Sequence, residues 1–495
     1  MKCVVDVATM RQSDAETIRG GVSGRELMAR AAKGIFESYG FRGPTAIVCG
    51  YGNNAGDGFA LALLLQAAQI DCTVWTLEDR FSPDGAYFYG KCKENAVKTA
   101  KFTSKTSFSE YAEVVDCIFG TGFRKEVTGL AKAAIEAINQ SGAYVVSADI
   151  NSGLSGDNGQ GETAVVSDLT VSIGFYKSGH FLGRAKDVIG SLCNVDIGIG
   201  LHGRARGLLE ERDLRDCFPS RANASHKGTY GYVSIFGGCR EYAGAIKLAN
   251  LSCAALRAGC GVCKLIIPES IYTGVAPYLL ESTVAPMSDS DGHIRFDAAA
   301  IDRELCGQRA LAIGMGWGKS PENTAILRHI LTNYAIPVVI DADGLNTLAT
   351  MDLDVLKTSA CRVILTPHLK EMERLCGKTV REIADDPIGV CEDFAEKWGV
   401  CVLLKGACTV VSDGTETYLV DRGCAGMATA GSGDVLSGVL VGMLGFNPPT
   451  AKTVASAAYL AGRAGELAAE RVGEISMLAS DTVAEIPTVV RQLTK

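Results

Sequence analysis

The stretch Gly426-Met427-Ala428-Thr429-Ala430-Gly431-Ser432-Gly433-Asp434 runs straight into the apolar Val435-Leu436-Ser437-Gly438-Val439-Leu440 and carries the strongest chemical signal in the chain. Small residues ahead of a helix leave backbone N–H groups and about half a positive charge facing outward, a ready receptor for a phosphoryl group. Asp434 follows where a carboxylate can take a proton from an attacking hydroxyl; the competing reading is a first-turn Asp that only complements the helix dipole. A second glycine-rich turn, Cys49-Gly50-Tyr51-Gly52-Asn53-Asn54-Ala55-Gly56-Asp57-Gly58, precedes the helical run Phe59–Leu64. It reads either as an anion-facing loop or as a tight turn capped by Asn and Asp. Asp116 to Gly122 and Asp149-Ile150-Asn151-Ser152-Gly153 close two further β-branched runs, so three polar clusters converge on one edge.

These residues need a sheet to position them. From Pro44 onward, short β-branched runs alternate with stretches of helical period, the mark of βαβ units and a parallel sheet. Strands are expected at Thr45–Cys49, Cys72–Leu77, Val114–Phe119, Tyr144–Ile150 and Leu169–Ile173. In the second half they are expected at Tyr232–Phe236, Cys263–Ile267, Leu311–Ile313, Pro337–Ile340, Val363–Leu365 and Cys401–Leu404. In open α/β sheets ligands sit at the carboxyl ends of the strands, which is where the polar clusters fall. Gly200-Leu-His-Gly-Arg-Ala-Arg-Gly207 and the charged stretch to Asp216 break the pattern, and the boundary is expected near residue 212, giving domains 1–212 and 213–495.

The 495 residues suit two or three domains. Glycines number 57 against 13 prolines, an excess that points to close backbone approaches and not to linkers. A formal charge of -8 without a basic run offers no footprint for nucleic acid, and no apolar stretch suggests a signal peptide or membrane span. A cytoplasmic protein is expected. The 18 cysteines lie mostly in apolar runs and read as reduced core thiols. Cys260 and Cys263 are read as lying on one strand, facing opposite sides, without a second pair to complete a zinc site.

The Asn-Asn-x-Gly-Asp-Gly turn, with Val7 to Arg11, Leu27-Met28, Asp168-Leu169-Thr170-Val171 and Lys177, resembles the epimerase part of bifunctional nicotinamide-nucleotide repair proteins. Those proteins join an NAD(P)H-hydrate epimerase to an NAD(P)H-hydrate dehydratase. The Gly-Ser-Gly-Asp stretch resembles the anion hole and base of ribokinase-like enzymes. His226 to Gly231, Gly237-Gly238 with Tyr242 to Ala245, Gly314 to Gly318, Asp341 to Asn346, Ile364 to His368 and Lys405 to Thr409 narrow the likeness to the dehydratase branch. The resemblance covers nearly the whole chain. It implies an N-terminal Rossmann-like three-layer αβα domain and a C-terminal ribokinase-like α/β domain.

By that resemblance Asn53, Asn54, Ala55, Gly56 and Asp57, with Gly120, Thr121, Gly122, Phe123, Arg124, Lys125 and Glu126, line the hydrated nucleotide, and Asp149 contacts it. Asn54, Asp116 and Ser152 would hold K+, since amide, carboxylate and hydroxyl oxygens are hard ligands; Asp116 alternatively caps a loop. Asp149 is the candidate acid/base for inversion at the C6 hydroxyl, with a purely orienting role as the alternative. In the second half Ala245, Gly318, His368 and Asp434 would contact the hydrated nicotinamide. Lys405, Gly406, Ala407, Cys408 and Thr409, together with Gly426, Met427, Ala428, Thr429, Gly431, Ser432 and Gly433, would hold the adenine nucleotide. The competing readings are a His368 satisfied by backbone and a solvated Lys405.

Several positions depart from the family pattern. Ala55 replaces Gly and is strained if its φ is positive. Asn151 replaces Pro and is expected to reshape the ion site. Leu369-Lys370-Glu371 replaces Pro-Gly-Glu, Cys424 replaces Asn and Ala430 replaces Gly.

The implied activity is repair of hydrated NADH and NADPH: epimerisation of the R and S hydrates, then nucleotide-dependent dehydration of the S hydrate. Hydroxide leaves badly, and each ~1.4 kcal/mol removed from the barrier is tenfold in rate. Phosphoryl transfer to the C6 oxygen, with Mg2+ and the glycine loop neutralising charge, turns it into phosphate. ADP is the expected donor and K+ the expected ion. Partners are small-molecule substrates, with no nucleic acid or membrane, and a homo-oligomer is expected. The rival reading is a ribokinase-like kinase of a vitamin alcohol with a non-catalytic nucleotide-binding or scaffold first half.

Overall fold

In the computed structural model, which describes residues 1–123, 126–254 and 257–494, the chain divides into two compact α/β units, Lys2–Arg206 and Gly207–Lys495. The first unit is built on a seven-stranded sheet. Its order is Lys98–Lys101, Cys72–Thr76, Thr45–Cys49, Glu113–Cys117, Tyr144–Ala148, Ser167–Ile173 and Ile189–Val195, and every pairing is parallel. Successive strand residues point to opposite faces, and the cores follow suit. Ile47, Cys49, Val115 and Val146 pack with the helices Gly24–Ser38 and Asn53–Ala67. Ala46, Val48, Val114 and Val145 pack with Gly129–Asn139 on the other face. Chain order reverses between Thr45–Cys49 and Glu113–Cys117, which opens a crevice at their carboxyl ends.

The second unit repeats the logic. Its sheet runs Thr283–Met287, Val262–Pro268, Tyr232–Phe236, Ala310–Ile313, Pro337–Ile340, Arg362–Leu365 and Cys401–Leu404, all parallel. The antiparallel hairpin Thr409–Ser412 and Thr417–Val420 extends it. One face is covered by the helices Ser432–Leu444, Ala451–Val472 and Ala479–Leu493. The other carries Glu322–Asn333 and Pro387–Trp398, which bury Ile326, Ile330, Val390 and Phe394. Here the switch point lies between Tyr232–Phe236 and Ala310–Ile313.

The cysteines whose side chains are described, a set without Cys253, are free thiols. Cys260 precedes the strand Val262–Pro268 and does not lie on it, and both Cys260 and Cys263 enter the same core, so the expected opposite-face arrangement is corrected. Gly261 explains the early break, because a Cβ there would sit 1.7 Å from the Lys227 carbonyl. Among the described residues no helix is long and apolar enough to cross a membrane.

Asn151 also departs from expectation. Its fully buried amide donates to the Val165 carbonyl at 2.9 Å, Ser167 Oγ at 2.9 Å and the Val188 carbonyl at 3.0 Å, and its oxygen accepts from Thr170 Oγ1 at 2.5 Å. None of these partners is Asn54, Asp116 or Ser152; Asn151 stitches neighbouring segments together. Replacing Asn151 by Ala strands several buried polar groups and is expected to cost about 2–4 kcal/mol in a denaturant melt.

Candidate active sites

In the first unit the glycine-rich turn is tighter than its composition suggests. Gly50 cannot carry a side chain, since a Cβ would lie 2.1 Å from the Ile118 carbonyl. The expected Asn53–Asp57 loop is the first turn of the helix Asn53–Ala67, with Gly52 extended at its N-cap. Helical backbone here lets small residues press against the sheet: a Cβ on Gly58 would meet Cys49 Sγ and Cys117 Sγ at 2.9 Å. Ala55 is fully buried and helical, so the strain expected of it does not arise.

A cavity of about 430 Å³ opens at the crevice. Asn53, Asn54, Asp57, Gly120, Thr121, Gly122, Phe123 and Asp149 line it. Ala55 and Gly56 turn into the core, where a Cβ on Gly56 would meet Met28 Sδ at 2.4 Å. Glu126 lines a neighbouring cavity. Arg124 and Lys125 lie outside the described residues.

Asp149 follows its strand with φ 66°, a conformation L side chains rarely adopt. Its N–H donates to the Val171 carbonyl at 2.8 Å, and its carbonyl accepts from His180 Nε2 at 2.7 Å. His180 Nδ1 accepts from the Lys177 N–H at 3.1 Å, which assigns the remaining ring proton to Nε2. Burial, and then the adjacent ammonium, push His180 down to about 3, so it stays neutral. Lys177 is completely buried and donates to Asp149 Oδ1 at 2.5 Å, to Ser172 Oγ and to the Ile173 carbonyl. Burial pushes the Asp149 carboxyl up, but Lys177 and the Thr121 N–H outweigh it and hold Asp149 below the usual carboxylate range. Asp57, by contrast, is pushed well above that range by burial and by the charges of Asp149 and Asp14. One cavity thus holds two carboxyls whose proton affinities are pushed in opposite directions. Lys177 and His180 were missed as site residues, because their role comes from pairing across the fold and not from any local motif.

Beneath the cavity Asp116 is fully buried and accepts from Ile118 N, Ser147 Oγ, Ser152 N and Ser152 Oγ. Burial still pushes it up despite these bonds. Ser152 Oγ accepts from the Phe119 N–H at 2.8 Å. Asn54 Nδ2 donates to the Phe119 and Ala148 carbonyls, while its buried Oδ1 has no partner among the described residues. An orphaned amide oxygen beside hydroxyl and carboxylate oxygens is a donor set that suits a hard monovalent cation.

In the second unit five strand ends deliver the site. Gly237 follows Tyr232–Phe236, and Gly314 to Gly318 follow Ala310–Ile313. Gly318 has φ 68° and donates its N–H to Asp343 Oδ2 at 2.8 Å. A Cβ on Gly316 would lie 2.9 Å from that of Ala245, so Ala245 borders this turn. After Pro337–Ile340 comes Asp341, only 2% exposed, which accepts from Lys405 Nζ at 2.9 Å and from Ser437 Oγ at 2.7 Å. Lys405 is therefore not solvated; Glu371 Oε2 lies 3.8 Å from it on the other side. Burial pushes the Lys405 ammonium down, and Asp341 and Glu371 more than reverse this.

His368 caps the helix Leu369–Cys376: Nδ1 accepts from the Lys370 and Glu371 N–H groups, and its own N–H donates to Glu371 Oε2. Its side chain remains 52% exposed at the sheet edge, with Nε2 3.5 Å from Glu371 Oε1. Gly406 and Ala407 are exposed there, while Cys408 is buried and Thr409 begins the hairpin. In the glycine loop Gly426 packs on Met477, Met427 packs on Gly465, and Cys424 reaches Gly465. Ala428 and Thr429 lead to Gly431, φ 94°, which opens the helix carrying Ser432, Gly433 and Asp434. A Cβ on Gly433 would lie 3.6 Å from Lys405 Nζ and 3.7 Å from Asp341 Oδ2, which joins the loop to the charged cluster. Asp434 is pushed up to about 7, first by burial, then by the charge of Asp341 with a smaller push from Asp343, against the pull of Lys405. Asp341 and Glu371 were not expected as site residues, although their strand-end and helix-start positions could have marked them.

A family model described as NAD(P)H-hydrate dehydratase matches residues 233–488, and one described as the YjeF-related protein N-terminus matches 24–179. A bifunctional NAD(P)H-hydrate repair enzyme of Moorella thermoacetica is 34% identical, covering 94% of this chain and 92% of its own. Its namesake in Coxiella burnetii is 32% identical over 97% and 98%. Among solved structures, an ADP/ATP-dependent NAD(P)H-hydrate dehydratase of Bacillus subtilis, co-crystallised with ATP/Mg2+, is 27% identical with a TM-score of 0.50, covering 58% of this chain and 99% of its own. A ribokinase-like superfamily protein of Enterococcus faecalis, at 23% identity and TM-score 0.52 over 59% and 98%, shares the fold.

The elevated Asp434 has a measurable cost. Its folded state keeps a proton that the unfolded chain gives up near pH 4, so stability falls as pH rises from about 4 to about 7 and then levels. Asp434→Asn removes that loss. Its melting temperature is expected to exceed that of the wild type at pH 8, with the gap closing toward pH 4.

Proposed function

Because the chain belongs to the family of bifunctional NAD(P)H-hydrate repair enzymes, we propose that its N-terminal unit epimerises the R and S hydrates of NADH and NADPH and its C-terminal unit dehydrates the S hydrate. The chain repairs hydrated NAD(P)H, and a plain small-molecule kinase is not favoured. The observation that carries the residue-level reading is the Asp434 carboxyl, held near neutrality at the N-terminus of a helix fronted by Gly431.

In dehydration Asp434 takes the proton of the C6 hydroxyl as that oxygen attacks the terminal phosphorus of the nucleotide. Backbone N–H groups of the Gly431–Gly433 turn face the charge that builds on the transferred group. The ring nitrogen lone pair then expels phosphate from C6, and loss of a C5 proton restores the dihydronicotinamide. We favour ADP as donor, leaving AMP. Asp341, Asp343 and Asp434 against Lys405 leave surplus negative charge, a setting that suits Mg2+ arriving on the nucleotide; the ion would neutralise phosphate charge there. Ala245, Gly318 and the half-exposed imidazole of His368 border the hydrated ring, and the Lys405–Thr409 and Gly426–Gly433 segments border the nucleotide.

In epimerisation Asp149, kept ionised by Lys177, moves the proton that inversion at C6 requires. Asn53, Asn54, Asp57 and Gly120–Phe123 surround the hydrate. Asn54 Oδ1, with Asp116 and Ser152, would hold K+, which would brace the loops that carry them.

The base role is tested by recovery of dihydronicotinamide absorbance. Asp434→Asn is expected to slow nucleotide-driven dehydration by about 10³-fold, and kcat/KM of the wild type falls as pH drops below about 7, where Asp434 becomes protonated. An unchanged rate in the Asn variant would overturn the assignment. With mixed epimers and ADP, Asp149→Asn is expected to stop at the S fraction, while the wild type runs to completion.

A further inference from the structure

A second cavity, of about 370 Å³, adjoins the epimerase crevice and shares with it the wall made by Tyr51, Ile118, Phe119, Gly122 and Phe123. Two lobes divided by one wall match a ligand made of two nucleoside halves joined by a pyrophosphate. If the first lobe takes the hydrated nicotinamide half, as the proposed function requires, the adenosine half falls in the second. Phe119 and Phe123 stack at 4.4 Å with an interplanar angle of 18°, with Tyr51 edge-on to Phe119, and offer an aromatic face to a base.

Glu78 lines this second lobe. It stands two residues past the strand Cys72–Thr76, the second strand of the βαβ unit that begins with the glycine-rich turn. In dinucleotide-binding βαβ units an acidic residue at that place, about 20 residues past the glycines, accepts the adenosine ribose 2′-hydroxyl, while a nearby Arg accommodates a 2′-phosphate. Here both types sit on one turn: Arg80 Nε donates to Glu78 Oε2 at 2.7 Å, and the guanidinium lies over the Tyr51 ring at 5.5 Å. The pair is largely exposed, so it can part at little cost.

We propose that Glu78 and Arg80 form the reader of the adenosine 2′ position. Glu78 accepts the ribose hydroxyl of hydrated NADH, and Arg80 leaves Glu78 to take the 2′-phosphate of hydrated NADPH. The two residues set which cofactor the epimerase prefers without touching the reacting C6.

The test follows R-to-S equilibration of each hydrate by chromatography, with the full chain and no nucleotide, so that dehydration is idle. Glu78→Ala is expected to raise KM for hydrated NADH about tenfold and to lower it for hydrated NADPH, because Arg80 is released. Arg80→Ala is expected to raise KM for hydrated NADPH about tenfold and to change that for hydrated NADH less than about twofold, with kcat held in both variants. Equal shifts for both substrates, or none, overturn the inference. If the wild type equilibrates neither hydrate, the epimerase reading falls, and the same split is sought in Kd for NADH and NADPH; a variant that weakens both alike overturns the inference on that measurement too.

Discussion

A parallel sheet covered on both faces leaves its strands little room for anything but apolar side chains, and this constraint decides where the chemistry of both units can be. Thr45–Cys49 and Cys401–Leu404 are buried along their whole lengths. Polar groups that do occur within such strands, Asp116 and Ser147 among them, are consumed by one another. Freedom returns only beyond the carboxyl ends, and there the chain changes from strand to glycine, carboxylate and lysine within one or two residues. In the first unit the glycine-rich turn lines the cavity at the switch point, and in the second the glycine loop meets Lys405 and Asp341 beyond the ends of their strands.

Each site is then tuned by a lysine, fully buried in the first and half-buried in the second, in opposite ways. Lys177 gives its charge to Asp149 and has only neutral acceptors besides, so Asp149 stays ionised in a setting that would otherwise protonate it. Lys405 is committed to Asp341, which Ser437 also fixes, and only partly reaches Asp434. Asp434 therefore keeps most of its desolvation and the repulsion of Asp341, and settles near 7. A proton acceptor poised at the working pH gains the most from general-base chemistry, whereas in the other cavity the environments of Asp57 and Asp149 push their proton affinities apart.

Much of this was legible in the chain. Every strand expected from a β-branched run exists, because such runs can be buried on both faces. The edge strands Lys98–Lys101 and Ile189–Val195 escaped, being polar and half-exposed, and so did the hairpin Thr409–Ser412 with Thr417–Val420, whose identity rests on pairing. The turn at Asn53 looked like a loop because glycines are poor helix formers; tertiary packing of Gly56 and Gly58 overrides that propensity. The motifs gave site roles to Asp149 and Asp434 but included Lys177, Asp341 and Glu371 without one, since a single lysine or acid announces nothing until the fold sets a partner beside it. Ala55 and Asn151 show the converse: helical backbone accommodates the first, and buried hydrogen bonds occupy the second, neither of which the sequence alone displays.

The left-handed backbone at Asp149 ties these strands of argument together. A non-glycine residue in that region costs of order 1 kcal/mol or more and persists only where its surroundings over-determine it. Three bonds do so: its N–H donates to the Val171 carbonyl, its carbonyl accepts from neutral His180, and its carboxylate accepts from Lys177. The neutrality of His180 matters, because only the Nε2–H tautomer donates to the carbonyl while Nδ1 accepts from Lys177 N–H. Backbone strain, ring tautomer and ion pair are thus one unit, and it orients the carboxylate before any substrate arrives. Orientation settled during folding is freedom that need not be lost during the reaction.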